Sequence, residues 1–307
     1  MRTVLTALAA LIFAVADRPA AQSRPVSVQV VVTDADGRAV GGLTEGDFQI
    51  ASGGRPRAVE SFSAGPSPLT ICLLLDVSAS MDGTLGPGRA PAGLAAAMEA
   101  WLDARQGTAD RWLVGTISRH VAVGATPVAD GPDLRAAIQT ALGLADTQRF
   151  GPSPIWDTVD AALGALEGES GRRGVILVTD GRSTGDRLGV RDAIRRGLGA
   201  GVPVTVISEA PDQTLALSPT SLLLVRPELA LQLIVEQTGG SYLPAFTDPK
   251  PALGSLLDRA IDELRQAYVL TFSGTAADGE AHTLEVSVRH PGARVKTRKA
   301  VILGTGR

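Results

Sequence analysis

Several residue types that build common functional sites are scarce in this sequence. Its 307 residues include one cysteine and three histidines, and only 4% are aromatic. The single cysteine, Cys72, cannot form an intramolecular disulfide, and its place within an apolar run predicts a buried side chain. So few aromatic residues provide no obvious stacking surface for bases or sugars. These scarcities argue against a disulfide scaffold and against binding of nucleic acid by stacking.

The charge balance excludes a further class of partner. Lysine and arginine together number 29, and aspartate and glutamate number 32, which gives a net charge of −3. A nearly neutral chain has no electrostatic footprint for nucleic acid or for an anionic membrane surface. With 44% hydrophobic residues, the chain is long enough for two modest domains. We therefore expect a globular protein with no nucleic-acid partner.

The N-terminus has the composition of an export signal. Met1 and Arg2 precede an apolar run over residues 4–16, which is too short to span a bilayer. Small residues predict that a signal peptide, residues 1–22, is cleaved after about Ala16 or Ala21. A membrane anchor or a core helix is the alternative. No later stretch is long enough for a stable membrane span, so we expect an exported protein, periplasmic or secreted.

Apolar periodicity divides the rest of the chain into three parts. Residues 25–66 alternate as strands do, with a turn at Asp36-Gly37, and residues 268–307 return to this pattern around an Asp278-Gly279 turn. Residues 67–267 alternate strands with helices, which predicts an α/β domain with a mostly parallel sheet covered on both sides. Neither end has enough strands for a stable sheet, so we expect the two to pair as one smaller, all-β sandwich-like module. Apolar stripes with helical spacing predict helices near residues 94–102, 134–142, 155–166 and 253–264.

Two apolar strands of the central part end in an aspartate. The first ends at Asp76, which is followed by Ser78 and Ser80, and the second ends at Asp180. A lone hydroxyl residue, Ser153, precedes a predicted helix. Because the carboxyl ends of parallel strands meet at one edge of a sheet, polar groups there first reach solvent. Carboxylate and hydroxyl oxygens are hard ligands, which suit Mg²⁺, Mn²⁺ or Ca²⁺. The pattern therefore predicts a metal site.

Each of these pieces also has a plainer interpretation. Asp76 and Ser78 are residue types that form turns through local hydrogen bonds. Ser153 is suited to be the N-cap of the helix that follows it, and Asp180-Gly181 is an ordinary loop dipeptide. The occurrence of all three pieces in order, two of them at strand ends and one at the start of a helix, favours the metal site.

The three segments resemble the von Willebrand factor A family. Its metal-ion-dependent adhesion site combines a DxSxS motif, then a threonine or serine, and then an aspartate. Here the motif is Asp76, Ser78 and Ser80, and Ser153 stands where the family more often has threonine, ahead of Asp180. The resemblance implies a Rossmann-like doubly wound sheet, residues 67–267, and an intact site in which these five residues hold Mg²⁺, Mn²⁺ or Ca²⁺.

The resemblance also implies a function. It predicts an exported, metal-dependent protein-binding module that recognises an aspartate or glutamate side chain of a partner protein through the cation. The whole chain is similar to a bacterial group of exported proteins with such a domain. That looser similarity lies in the Val30-x-Val32-x-Asp34-x-x-Gly37 and Asp47-Phe48 segments at the head, and in Tyr268-x-Leu270 and Val286-x-Val288 at the tail.

Two other functions stay open. One is a structural envelope or secreted component in which the metal only braces the loops. The other is a metal-dependent hydrolase, which would need a general base that His120, His282 and His290 are poorly placed to provide. The segment 181–185 fits the G-x-S-x-G nucleophile pattern around Ser183, but no helix is predicted to start directly after it. We therefore expect no catalytic residues and a protein that is not an enzyme.

Overall fold

The computed structural model describes residues 24–83, 88–146, 150–209, 227–245, 247, 250–274 and 280–303. The predicted signal peptide and the predicted turn at Asp278-Gly279 lie outside these residues. The described helices are α1 Ala90–Ala104, α2 Pro132–Asp146, α3 Ile155–Glu167, α4 Val190–Ala200, α5 Pro227–Thr238 and α6 Leu253–Arg265.

The described strands occur in three groups along the chain. The first group is β1 Arg24–Thr33, β2 Phe48–Ser52, β3 Arg55–Arg57 and β4 Ser61–Ser63. The second is β5 Leu69–Asp76, β6 Arg111–Ile117, β7 Val121–Val123, β8 Val128–Ala129, β9 Arg172–Thr179, β10 Val204–Ser208 and β11 Tyr242–Pro244. The third is β12 Tyr268–Gly274, β13 Ala281–Val288, β14 Arg294–Lys296 and β15 Ala300–Ile302.

The second group forms one mostly parallel sheet. Its strand order is β11-β10-β9-β5-β6-β7, and β8 also pairs with β6. β5 pairs in parallel with β6 and β9, and β10 continues the parallel pairing to β11. Only β7 and β8 run antiparallel to their neighbour β6. Every residue of β5 is buried, as expected for a central strand that is covered on both faces.

Helices cover both faces of this sheet. α1, α2 and α6 pack on the face that receives Leu73 and Leu75 of β5. α3, α4 and α5 pack on the opposite face, which receives Cys72 and Leu74. Burial of Cys72 also raises the pKa of its thiol, so the side chain fills space in the core rather than presenting a reactive thiolate. This arrangement confirms the predicted doubly wound α/β fold.

The first and third groups of strands form a second, smaller unit. One sheet has the order β14-β1-β12-β4, and the other has the order β15-β13-β2-β3. In each sheet an antiparallel pair joins the two ends of the chain, β1 with β12 and β2 with β13. A common core that includes Val30, Phe48, Leu270 and Leu284 belongs to both sheets. The predicted sandwich-like module of head and tail segments is therefore confirmed.

A buried arginine joins the sandwich to the α/β unit. Arg298, between β14 and β15, donates to the carbonyl oxygens of Leu198 and Ser27, at 2.8 Å each. Leu198 lies in the last turn of α4, whose carbonyl ends carry partial negative charge. A guanidinium group at this position therefore stabilises the helix end while it connects β1 to α4.

Candidate functional site

The segment that follows β5 forms a tight loop around Asp76. The backbone N–H of Ser78 donates to Asp76 Oδ1 at 3.0 Å, and the hydroxyl oxygens of Ser78 and Ser80 are also 3.0 Å apart. A short 3₁₀ turn, Ala79–Met81, follows Ser78 and buries the Met81 side chain. The three DxSxS residues are therefore held close together at the carboxyl end of the central strand.

A neighbouring strand orients the Asp76 carboxylate. Thr179, the last residue of β9, donates from Oγ1 to Asp76 Oδ2 at 2.6 Å and accepts a hydrogen bond from the Gly181 N–H at 2.9 Å. Sequence reasoning did not include Thr179 in the site. A polar residue at the end of an otherwise apolar strand, directly before Asp180, was the available signal.

Asp180 lies in the first turn after β9. Its side chain is 2% exposed, and its Oδ1 accepts a hydrogen bond from the Arg182 N–H at 3.0 Å. The Arg182 Nε atom is 3.7 Å from Asp180 Oδ2, so the two side chains form an ion pair. The hydrogen-bonded turn keeps the Asp180 carboxylate beside the end of β9, where it interacts electrostatically with Asp76.

The surroundings of Asp76 disfavour the negatively charged form of its carboxyl group. Burial raises its pKa to about 6, while hydrogen bonds from Thr179 and Ser78 lower the pKa and the nearby negative charge of Asp180 raises it. Among the residues that the structure describes, no lysine, arginine or histidine pairs with Asp76. A buried carboxylate without a cationic side chain is the arrangement that a bound cation would stabilise.

Ser153 belongs to a loop that is tied to the segment after Asp180. Its N–H donates to Thr184 Oγ1 at 2.9 Å, and its carbonyl accepts from the Thr184 N–H at 3.0 Å. The N-cap of α3 is Pro154, with no capping side chain of its own, so Ser153 is not the helix cap that the plainer interpretation assigned. The Ser153 side chain is nearly buried.

Two acidic residues that the sequence did not single out hold these loops together. Asp186 Oδ1 accepts from the N–H groups of Trp156 and Asp157, and so caps the first turn of α3 from the neighbouring loop. Asp157 in turn accepts from the N–H groups of Arg187 and Leu188, at 3.1 and 2.9 Å. These reciprocal bonds fix the Ser153 loop against the Asp180 loop.

The geometry around Ser183 does not match a nucleophile elbow. Its hydroxyl donates to Asp186 and accepts from the Ile155 N–H at 3.2 Å. α4 begins only at Val190, after further loop residues, whereas a nucleophile elbow starts its helix directly. In the described part of the chain no histidine hydrogen-bonds to Ser183. Ser183 thus serves as a loop residue that supports α3.

Hydrogen bonds connect three of the five predicted ligands, whereas the other two are related to them only indirectly. Asp76, Ser78 and Ser80 share one loop, and Asp180 lies within electrostatic reach of Asp76. Ser153 joins them through Thr184. No group of three or more His, Cys, Asp or Glu side chains suited to a metal occurs within the described ranges. This result is consistent with the composition of the predicted ligand set, which contains two carboxylates and three serine hydroxyl groups.

Comparisons with known proteins give likenesses of fold only. No family model matches the chain, and no curated protein matches it. Among solved structures, a von Willebrand factor type A protein from Catenulispora acidiphila gives a TM-score of 0.47 at 12% identity, over 95% of this chain and 74% of that one. An aerotolerance-related membrane protein from Bacteroides fragilis gives 0.45 at 15% identity, over 64% and 98%. BatB from Bacteroides thetaiotaomicron gives 0.43 at 17%, over 64% and 98%. At these values the likenesses carry no argument about function.

Within the residues that the structure describes, no helix is both long enough and apolar enough to cross a membrane.

Proposed function

We propose that this protein is a metal-dependent protein-binding module that recognises an acidic residue of a partner protein. One observation carries the proposal: Asp76 is buried beside a second carboxylate, Asp180, with serine hydroxyls around it and with no cationic side chain paired to it in the described structure. Buried charges in proteins are paired or coordinate metals. The donor set consists only of hard oxygens, which suits Mg²⁺, with Mn²⁺ and Ca²⁺ as alternatives.

The residues that would hold the cation are Asp76, Ser78, Ser80, Ser153 and Asp180. When bound, the cation would supply an electrophilic coordination position that accepts a carboxylate oxygen from a partner. The protein's own part is to keep these oxygens in place. Thr179 orients Asp76, and the Arg182 N–H orients Asp180. A pre-positioned donor set loses less conformational entropy on binding than one that must assemble.

The neutral hydroxyl groups are important to this proposal. Two carboxylates formally balance a dication, so the site would present no excess negative charge to an incoming carboxylate. If serines such as Ser78 and Ser80 were aspartates, the surplus negative charge would repel an acidic partner. The same composition supports binding rather than hydrolysis, since no general base contacts these residues in the described structure.

We infer an exported location from the N-terminal composition alone, and it remains part of the proposal. The first experiment tests metal binding. It uses the purified mature chain after EDTA has removed any bound metal. Titration calorimetry with Mg²⁺ and Mn²⁺ should detect one site in the wild type. Asp76→Asn should lose it, whereas Ser52→Ala, a buried hydroxyl in the sandwich strand β2, should keep it.

Partner binding is tested separately with the same proteins as immobilised bait. Envelope and medium fractions should yield a protein that the wild type retains in Mg²⁺, that EDTA releases, and that Asp76→Asn does not retain. Retention that EDTA leaves unchanged would rule out recognition through the cation. Metal uptake that raises the melting temperature but changes no interaction would instead favour a bracing role for the metal.

A further inference from the structure

Arg119 lies at the same edge of the sheet as the proposed site. It follows β6, whose last residue Ile117 pairs with Asp76 in the parallel register. The aliphatic part of the Arg119 side chain lies over Gly151, close enough that a Cβ at Gly151 would be 3.2 Å from Arg119 Cγ. Gly151 is two residues before Ser153. Arg119 is exposed, and the described residues include no carboxylate paired with it.

Arg182 lies beside the second carboxylate of the site, Asp180. It lies two residues after Asp180, and its side chain is 48% exposed. Its Nε atom is 3.7 Å from Asp180 Oδ2, a distance typical of a loose ion pair rather than of a good hydrogen bond. The charged end of Arg182 can therefore contact a second carboxylate without leaving the neighbourhood of Asp180.

The other acidic side chains near these arginines are engaged by backbone N–H groups rather than by Arg119 or Arg182. Asp186 and Asp157 accept hydrogen bonds from the backbone of α3 and of the 183–188 loop. Asp82 accepts from the Ala90 N–H at the start of α1. Apart from Asp180, which the cation would share, no carboxylate in the described part of the chain forms an ion pair with Arg119 or Arg182. A carboxylate bound at the cation would therefore leave both guanidinium groups available to further carboxylates of the same partner.

The same edge also presents an apolar side chain. Phe150, directly before Gly151, is 65% exposed, which is the largest exposure among the large hydrophobic residues of the described chain. Exposed aromatic residues beside arginines are characteristic of protein interfaces. This second feature supports an extended contact surface rather than a site for a single isolated side chain.

We propose that the segment recognised at this edge is an acidic run of a partner protein, in which carboxylates next to the metal-bound one pair with Arg119 and Arg182. This inference rests on the proposed function, because it presumes a central carboxylate held through the cation. Each guanidinium group can donate two parallel hydrogen bonds to one carboxylate, in bidentate geometry. Exposed pairs of this kind each contribute modestly, and together they should change affinity by about tenfold.

The experiment compares two fluorescein-labelled synthetic peptides of equal length by fluorescence anisotropy. One has a single glutamate flanked by glutamines, and the other has three consecutive glutamates. For each protein, the measured quantity is the Kd of the single-glutamate peptide divided by the Kd of the triglutamate peptide, in Mg²⁺ at low ionic strength. A larger ratio means a stronger preference for the triglutamate peptide. This ratio removes any effect of a variant on metal loading or on the amount of active protein. The triglutamate peptide offers three side chains that could bind the cation, and this gain in affinity is the same for every variant. It therefore cancels when the ratios of two variants are compared.

The wild type should prefer the triglutamate peptide, and the double variant Arg119→Gln/Arg182→Gln should lower the ratio about tenfold. The double variant Arg119→Lys/Arg182→Lys should restore most of it. Arg55→Gln, which removes an exposed arginine of the sandwich, is the matched control and should leave the ratio unchanged. Added salt should reduce the wild-type ratio, because salt screens exposed charges.

The possible failures are distinguishable. If the ratio is the same in the wild type and the double glutamine variant, the arginine inference is wrong, while Mg²⁺-dependent binding of the single-glutamate peptide would still support the proposed function. If EDTA leaves the binding of both peptides unchanged, or if neither peptide binds, both proposals fail. Tighter binding of a labelled single-stranded oligonucleotide through the same arginines would also overturn the acidic-protein assignment.

Discussion

The Thr179 hydroxyl donates a hydrogen bond of 2.6 Å to Asp76 Oδ2, and so joins the ends of the two central strands β9 and β5. Because Thr179 Oγ1 also accepts from the Gly181 N–H, its proton is directed at the carboxylate. The turn that carries Asp180 and the orientation of Asp76 therefore depend on one side chain.

Replacement of Thr179 should affect both stability and the proposed metal site. Thr179→Val removes the donor from a buried carboxylate and leaves the Gly181 N–H without its acceptor, so the free energy of unfolding should fall by about 1–3 kcal/mol. Affinity for Mg²⁺ should fall by about 10–100-fold, as is typical when an outer hydrogen bond to a ligand is lost. Urea denaturation and titration calorimetry measure the two effects. Thr179→Ser keeps the hydroxyl and should retain most of the affinity; equal loss in both variants would contradict the role of the hydrogen bond.

Mg²⁺ should stabilise the wild type but not Asp76→Asn. A ligand at 100 times its Kd raises the free energy of unfolding by about 2.7 kcal/mol if it binds only the folded state. Denaturation curves with Mg²⁺ and with EDTA measure this difference. The variant should still fold, because Asp76 lies at the rim of the sheet and loses a charge that is costly to bury. Asp36→Asn, on an exposed turn, is the control, and unfolding of Asp76→Asn would mean that this carboxylate is structural.

Removal of the Asp186 carboxylate should loosen the loops on either side of the site. Asp186→Ala leaves the Trp156 and Asp157 N–H groups at the start of α3 without their acceptor, which should cost about 1–2 kcal/mol of stability. It should also weaken Mg²⁺ binding, because the Ser153 loop loses its attachment. Asp192→Ala is a matched control, since Asp192 Oδ2 accepts from the Gly189 N–H in a cap of α4. The control should lose stability without losing metal affinity, and equal effects on metal would refute the attachment.

One buried ion pair should give the protein a measurable acid sensitivity. Burial by itself would raise the pKa of Asp110, but hydrogen bonds from Arg265, Thr108 and the Leu69 N–H outweigh it and lower the pKa in the folded state. A carboxyl whose folded pKa is lowered contributes stability above its unfolded pKa of about 3.9, and that contribution is lost as the pH falls through the folded value.

Asp110→Asn should therefore be less stable than the wild type by about 2 kcal/mol at neutral pH, and the difference should shrink below about pH 4. Thermal denaturation across this pH range measures both quantities. Arg38→Gln removes the exposed pair with Asp36, whose side chains are 77% and 71% exposed, and should change stability little at any pH. A deficit of Asp110→Asn that does not depend on pH would show that its ionisation is not the cause.

Periodicity predicted four of the six described helices. α1, α2, α3 and α6 coincide with the predicted stripes. α4 and α5 were not predicted individually. In α4 the buried positions include alanine and glycine, and the outer face is charged. The short strands β7 and β8 were also missed, since strands of two or three residues carry almost no periodic signal.

The candidate ligands were predicted from residue type and position along the chain, without any knowledge of their supports. Asp76 and Asp180 stand out because each comes at the end of a long apolar run in the sequence. Thr179 ends an apolar strand directly before Asp180, but a threonine in a strand and an aspartate in a loop are too common for the sequence to assign a role to Thr179 or Asp186. Only their hydrogen bonds to groups distant in the sequence give them a role.

The sequence by itself determined the alternation of strands and helices, the two strands that end in aspartate, and the pairing of the head with the tail, because each depends on hydrophobic patterning along the chain. The tertiary structure alone decided which side chains support the site and where the arginines lie around it. Those relationships join residues far apart in sequence, and hydrogen bonds and ion pairs between such residues leave no periodic trace in the chain.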